Sequence, residues 1–593
     1  MKITKSIYIL IGLVFASIVF YACKKNFLDK PALGSFAPTT LANQAGVQGL
    51  LIGAYSMMDG IGDNNYTNFD GSASNWVMGD MASDDAYKGS DPNDGAVDVF
   101  PIETYTATGT NDAVRYRWNA LFDGIQRAND VLRIMAQVTD ITDADKITIT
   151  AEARFLRGFY HFEAKKIWNM IPYIDETISY ANGNTDVPND KDIYPQIEAD
   201  LQYAGDNLPN DWSGTGEIGR ANKWAAKCFL AKVYLFDHKY AEAKTLFDDV
   251  ITNGVTASGA KYALMPLYHD NFNAATKNNA EAVLSVQQSI NDGSGGNNAG
   301  WGDVLTFPNS PAPVGNCCNF RQPTQNLVNA FKTDAATGLP LLDNFNDVDV
   351  KNDLGIESSA PFTPETGTLD PRLDWTVTRR GIPFLDWGLN PGKYWIRDQS
   401  NGGPYLAIKR IYEQKQKDTY VDKTFWTNGV SANNYVLLRF ADVLLMAAEC
   451  EIEAGSMDKA REYVNMVRTR AANPDGWVHT YIDNNDPLKG FTTTPAANYK
   501  IGLYNTPWAN KEYALKAVRF ERRLELALEG HRFFDLVRYG TAATVLNNYI
   551  AKEKKLHSYL NAVSFVAGKS EYFPIPQSEI DKANGALKQN PGY

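Results

Sequence analysis

Histidine and cysteine are scarce: the 593 residues contain six His and five Cys. No two cysteines are spaced C-x-x-C, no histidines form H-E-x-x-H, and no G-x-S-x-G elbow occurs. Structural zinc, a zinc hydrolase and a serine acyl-transferase each need ligands or a nucleophile at a fixed local spacing, so none is supported. Cys228 and Cys450 stand inside apolar helical patterns and read as small buried hydrophobes. The neighbours Cys317 and Cys318 are open between a vicinal disulfide and two thiols. Basic charge is also short, with 57 Lys and Arg against 69 Asp and Glu, and the net charge of −12 leaves no basic stripe to neutralise a phosphate backbone. Nucleic acid is therefore not an expected partner, and neither a metal nor a cofactor is expected.

The longest apolar run, Ile7 to Phe20, is shorter than the ~20 residues that cross a bilayer. Lys2 and Lys5 precede it, and Ala22 stands before Cys23. Residues 1–22 thus read as a secretory signal. The small residue before Cys23 resembles a bacterial lipobox, which would leave Cys23 as an acylated N-terminus. Two or more acyl chains anchor stably, because each buried CH2 contributes about 0.8 kcal/mol. Residues 23–40 follow as a Pro- and Gly-containing tether, so a lipid anchor is expected, while Lys24 and Lys25 stand where surface-exposed lipoproteins often carry acidic residues and do not themselves point to the outer face.

Two distant segments share a helical pattern. Tyr240, Ala243, Phe247 and Val250 make an i, i+3, i+7, i+10 stripe, and Met457, Ala460, Val464 and Val467 repeat it. Ala231 and Ala448 each lie twelve residues before the stripe's alanine, the spacing of a tetratricopeptide helix pair. A third such unit contains Gly158 in the small position. Between them, 255–430 is rich in Asn, Gly, Pro and Asp and carries Trp301, Trp375, Trp387, Trp395 and Trp426. A long irregular stretch with that much tryptophan reads as a functional, ordered region.

Three motifs suggest chemistry and lose it on context. Gly214 to Gly219 spells G-x-G-x-x-G, but no strand precedes it, so it reads as a loop. Asp80, Asp84 and Asp85 lack the spacing of a calcium loop and suggest a hydrated segment bearing polar and aromatic ligand contacts. In "ERRLELALEGHRFFDLVRYG", residues 521–540, Glu521 and Glu525 are i, i+4 neighbours about 5–6 Å apart. Glycosidase carboxyls face a sugar from opposite sides, whereas these point the same way. The stretch therefore reads as a brace, with Arg522 meeting Glu525 and Glu529 meeting Arg532 above an apolar stripe of Ala517, Phe520, Leu524 and Ala527.

Glu521, Arg522, Glu525, Leu526, Glu529, Gly530, Arg532, Asp535, Leu536 and Arg538 resemble the ER..EL..EG.R..DL.R signature of the SusD/RagB family of outer-membrane lipoproteins. "GIQRANDVL", "EARFLRGFYHF", "GRANKWAAKCFLAKVYL", "YVLLRFADVLLMAAECEIEAG" and the terminal "FPIPQSEIDKANGALKQNPGY" are similar to its other landmarks, in order. The resemblance implies a mainly α fold, in which four tetratricopeptide-like helix pairs form a scaffold for a loop-rich, variable ligand-binding region. The pairs fall near 112–170, 220–252, 436–470 and 511–540 of a domain spanning 41–593, with the variable region near 255–430. It also implies a non-enzymatic glycan-binding protein that delivers oligosaccharide to a SusC-like TonB-dependent transporter; a peptide receptor or a ligand-free scaffold is the alternative. The family's motifs carry no ligand contacts. Composition and position alone nominate Tyr66, Trp76, Tyr87, Trp301 and Trp387 as stacking rings, with Asn75 as a polar neighbour.

Overall fold

The computed structural model describes residues 38–60, 67–178, 185–315, 317–425, 427 and 429–593. The signal segment, Cys23, Tyr66 and Trp426 lie outside the described residues.

The fold is mainly helical. In chain order the long helices are α1 (Gln44–Ser56), α2 (Asp112–Met135), α3 (Asp143–Trp168), α4 (Tyr194–Asn207), α5 (Lys223–Phe236) and α6 (Tyr240–Asn253). After the loop-rich stretch come α7 (Phe440–Ala454), α8 (Met457–Ala471), α9 (Lys511–Leu526), α10 (Arg532–Arg538) and α11 (Ala542–Glu553). Their starts are written in the sequence. Asn111, Thr142, Asn222, Ser456 and Asn510 each accept a hydrogen bond from a backbone N–H of the first turn, worth about 1 kcal/mol apiece. Neighbouring helices pack in sequence, α2 on α3, α3 on α4, α4 on α5 and α5 on α6, and α6 then packs on α7 across the loop-rich insertion.

The apolar stripes face inward. Ala243, Phe247 and Val250 of α6 and Ala460, Val464 and Val467 of α8 are fully buried, whereas Met457, at the start of its stripe, is 38% exposed. Gly158 lets α4 close onto α3: a Cβ there would stand 3.1 Å from Leu201 and 3.2 Å from Asp200. Two short antiparallel ribbons tie the loops to this frame. Strand β1 (Ala86–Gly89) pairs with β3 (Phe320–Pro323), placing Gly89 opposite Phe320. Strand β2 (Ala282–Val286) pairs with β4 (Tyr435–Arg439), which runs directly into α7.

The stretch 521–540 is a brace, but apart from Asp535, which meets Arg522 and Arg538, its partners lie outside the stretch. Arg522 bonds Asp442 at 2.5 Å and Asp535 at 3.1 Å, and Arg532 bonds Asp84 at 2.7 Å. Glu525 takes Arg372 at 2.9 Å, Arg439 at 2.5 Å and Arg470; Glu521 takes Arg372 and Arg468, both at 2.7 Å. Glu529 meets Lys409 at 2.7 Å and Arg439 at 2.9 Å. The reason is burial. A solvated helix face could pair its own turns, but α9 is covered around Glu521 to Leu526, so each charge is met by the element packed against it. The expected apolar residues Ala517, Phe520, Leu524 and Ala527 are buried beside them.

With Glu281 and Asp370, the cluster sets five carboxylates against Arg372, Arg439, Arg468, Arg470 and Lys409. Burial opposes the charge on Glu525, yet Arg470, Arg439 and Arg372 outweigh it and hold the carboxyl well below its ordinary range. Glu525→Ala takes one carboxylate partner from each of three buried guanidinium groups and is expected to cost about 3–5 kcal/mol in denaturant unfolding. Asp418→Ala, which breaks only the exposed pair to Lys423, is expected to leave the unfolding midpoint where it is.

Candidate functional site

Four stretches far apart in sequence meet around one cavity of about 620 Å³, within the range typical of small-ligand sites. Phe69, Asp70 and Trp76 come from the first, Asp94 and Asp98 from the loop after β1, Trp301 and Phe320 from the insertion, and Arg397 from a later loop. The β1–β3 ribbon is what brings the second and third together.

Trp76 and Trp301, nominated from sequence, meet here. Trp76 opens a six-residue π-helical turn, Trp76–Met81, after Asn75 at φ +50°, and its indole N–H donates to the Gly302 carbonyl at 3.0 Å. Phe69 and Trp301 meet edge to face at 5.5 Å, and Phe320 tilts over Trp76 at 5.9 Å. Neither indole lies open: Trp76 is 0% and Trp301 2% exposed. The rings thus line the cavity as packed surface, and the nominated role of an open stacking platform is not the conformation seen. Below them, Ser74 donates to Asp303 at 2.5 Å and Arg410 pairs with the same carboxylate at 3.3 Å.

The other nominated residues lie elsewhere. Tyr87, 1% exposed, donates its hydroxyl to Glu553 and meets His557 edge to face, so no ring face is free for a sugar. Trp387 is half-buried in a separate cluster with Phe384 and Trp395, where its N–H donates to the Tyr412 carbonyl at 2.8 Å. Asn75 adjoins the cavity in sequence but turns its amide to Glu163 at 3.1 Å. Tyr66 lies outside the described residues.

The aspartates of 75–89 are not a hydrated loop. Asp84 bonds Arg532 at 2.7 Å and Arg523 at 3.1 Å, Asp85 bonds Arg523 at 2.8 Å, and Asp80 faces Arg321 at 3.4 Å while accepting the Gly530 N–H at 2.8 Å. All three are buried, Asp84 and Asp85 under the arginines of α9 and α10 and Asp80 between Arg321 of β3 and the Gly530 backbone. Burial opposes the charge on Asp84, but Arg523 and Arg532 carry its pKa down to about 2; Asp80, with more burial than compensation, is pushed up to about 7.

Residues with no motif complete the cavity. Cys317 and Cys318 are joined as a vicinal disulfide and form part of its wall. Lys88 passes beneath the loop after β1, donating to the carbonyls of Gly89, Asp91 and Asp94 at 3.0, 2.8 and 2.7 Å. Arg397 clamps the same loop from outside through Asp91 at 2.6 Å and Asp94 at 2.7 Å. The adjacent cysteines in the Trp-bearing region were the available signal; Asp70, Asp98 and Arg397 had none.

The fold, its arginine-covered loop and its insertion-built cavity are those of a helical ligand-binding scaffold, and the family models agree. Residues 280–593 match the model described as "SusD family", and residues 26–235 match "Starch-binding associating with outer membrane". The chain belongs to the SusD family. It is 25% identical over 500 residues to SusD-like protein P2 of Formosa agariphila, covering 83% of each chain. A solved laminarin-binding SusD-like protein superposes with a TM-score of 0.65 at 25% identity, covering 93% of this chain and all of that one. Surface glycan-binding protein A of Bacteroides thetaiotaomicron, solved with laminarihexaose, shares the fold with a TM-score of 0.64 at 20% identity, over 92% of this chain and 99% of that one.

Tyr87 gives a pH prediction. Burial pushes the Glu553 carboxyl up to about 7, more than the Tyr87 hydroxyl bond lowers it. The folded state therefore keeps this proton to higher pH than the unfolded chain, and stability falls as pH rises from about 4.5 to 7. Thermal midpoints of wild type and Glu553→Gln should diverge across that window, with the Gln variant lacking this loss.

Proposed function

We propose that the chain is a non-enzymatic glycan receptor of the outer membrane, tethered through acyl chains on Cys23, which captures oligosaccharide and hands it to a SusC-like TonB-dependent transporter. The observation that carries this reading is the convergence of Trp76, Trp301, Phe69 and Phe320 with carboxyl groups around a cavity of about 620 Å³, on a SusD-family frame. Aromatic surface with a few polar groups suits a sugar, which has apolar faces and a hydroxyl-bearing edge. The laminarin-binding relative and the laminarihexaose complex support the ligand class, and the family description supports the membrane. In this reading residues 1–22 are removed, 23–40 are the tether, and 41–593 fold as one SusD-like domain. No helix among the described residues is long and apolar enough to cross a membrane.

A second reading, a scaffold for protein partners, draws on an open groove of about 1200 Å³ beside α6 and α8, where Tyr262, Met265, Arg461 and Met466 contribute. Calorimetry with an oligosaccharide panel, followed by a reducing-end assay, separates the readings. The receptor predicts saturable binding and no new reducing ends. Cleavage would indicate an enzyme, and retention of a transporter without any sugar binding would favour the scaffold.

A further inference from the structure

The cavity has one polar side chain that the protein leaves without a counterpart. Asp70 is 7% exposed, lies at the end of the short helix Thr67–Asp70, and lines the cavity beside Phe69. It makes no hydrogen bond and no ion pair among the described residues, although the carbonyls immediately after it, Gly71 and Ser72, are fixed by Arg117 at 2.8 and 3.2 Å. A carboxyl group that is mostly buried, keeps its oxygens accessible at a cavity and has no partner in the chain is placed to be completed by something outside it.

The charge around it has one sign. Asp94 and Asp98 line the same cavity, and burial, Asp98 and Asp112 all act in the same direction on Asp70, holding its carboxyl well above the ordinary range. Arg397 is the single cation among the described lining residues, and it is already engaged by Asp91 and Asp94. An incoming anion would find no free cation in the lining, since the one guanidinium is occupied, and would have to approach Asp98 and the Arg397-paired Asp94. An uncharged sugar would meet acceptors suited to its hydroxyl donors, with two neighbouring hydroxyls able to span both oxygens of one carboxyl group.

We propose that Asp70 is the hydroxyl-recognising anchor of the cavity, and that the acidic lining it shares with Asp94 and Asp98 makes the receptor select uncharged oligosaccharides over uronic-acid or sulfated ones. This rests on the glycan-receptor reading and adds the ligand's charge class and the residue that reads it. Asp70 is a specificity determinant, since its lack of internal partners leaves it little part in holding the fold.

The test is calorimetry on the purified chain with neutral laminari- and xylo-oligosaccharides and with oligogalacturonate and sulfated galacto-oligosaccharides of similar length. Neutral ligands should bind at least tenfold more tightly, with the gap narrowing as salt screens the acidic lining. Asp70→Ala, which removes both oxygens, should weaken the bound neutral sugar by about tenfold, the loss of a hydrogen bond to a largely buried group, at an unchanged thermal midpoint. The double variant Asp94→Asn/Asp98→Asn should raise affinity for the anionic panel and so shrink the discrimination. Anionic oligosaccharides binding as tightly as neutral ones, or an Asp70→Ala chain binding neutral sugar like wild type, would overturn the inference while leaving the receptor reading intact. Absence of binding to every sugar would remove the receptor reading and this inference with it.

Discussion

Arg439 sits where the loop-rich insertion meets the C-terminal helices, and its carboxylate partners come from both. It belongs to β4, at the entry to α7, and it bonds Glu281 just before β2 at 2.8 Å, Glu525 from α9 at 2.5 Å and Glu529 just beyond α9 at 2.9 Å. Removing such a group from water is expensive, and only a full complement of carboxylates offsets the expense. The other four cations and the five carboxylates of the cluster supply it, drawn from the insertion, α8 and the α9 region. Helix packing is tolerant of small shifts; a neutral buried cluster with bonds of 2.5–3 Å is not. The cluster therefore sets the position of the loops relative to the helices.

The cavity inherits its shape from the neighbouring part of the same stretch. Arg523 of α9 reaches Asp84, Asp85 and Asn326, and Arg532 of α10 reaches Asp84, so the segment following Trp76 is gripped from the helical side. Gly530, at φ +76°, lies against the Ser74 carbonyl, where a Cβ would stand only 2.0 Å away, and Gly79 lies against Gly530 as closely, at 2.2 Å. Gly530 thus serves close backbone contact rather than ending α9, which stops at Leu526. Gly540 does cap α10: its N–H bonds the Val537 carbonyl at 2.9 Å while Thr541 bonds Leu536 at 3.0 Å, the two bonds of a Schellman ending.

Local pattern made the helical class legible, because stripes such as Ala460, Val464 and Val467 obey the helix period. The 521–540 stretch was legible as a brace, since neighbours on one helix cannot flank a substrate. Its partners were not, because an arginine's spacing along a helix says nothing about which distant carboxylate packs over it; Arg522 found Asp442, eighty residues away. The same limit applied to the site. Trp76 and Trp301 were visible as residue types and do meet in the cavity, while Tyr87 and Trp387, identical in kind, fill cores elsewhere. Asp70 was invisible because its significance lies in the absence of a partner, which only three-dimensional packing reveals.

The central claim is that arginines of the 521–540 stretch hold the ligand-bearing loops in place, so that the charged helix acts on function without touching ligand. Native-state amide hydrogen exchange on wild type and Arg523→Met tests it most directly, because Arg523 does not line the cavity. The account predicts that protection falls selectively in 75–89 and 320–330, with α2 to α6 unchanged and oligosaccharide affinity reduced alongside. Protection unchanged in those loops, or lost evenly across the whole chain, would contradict it.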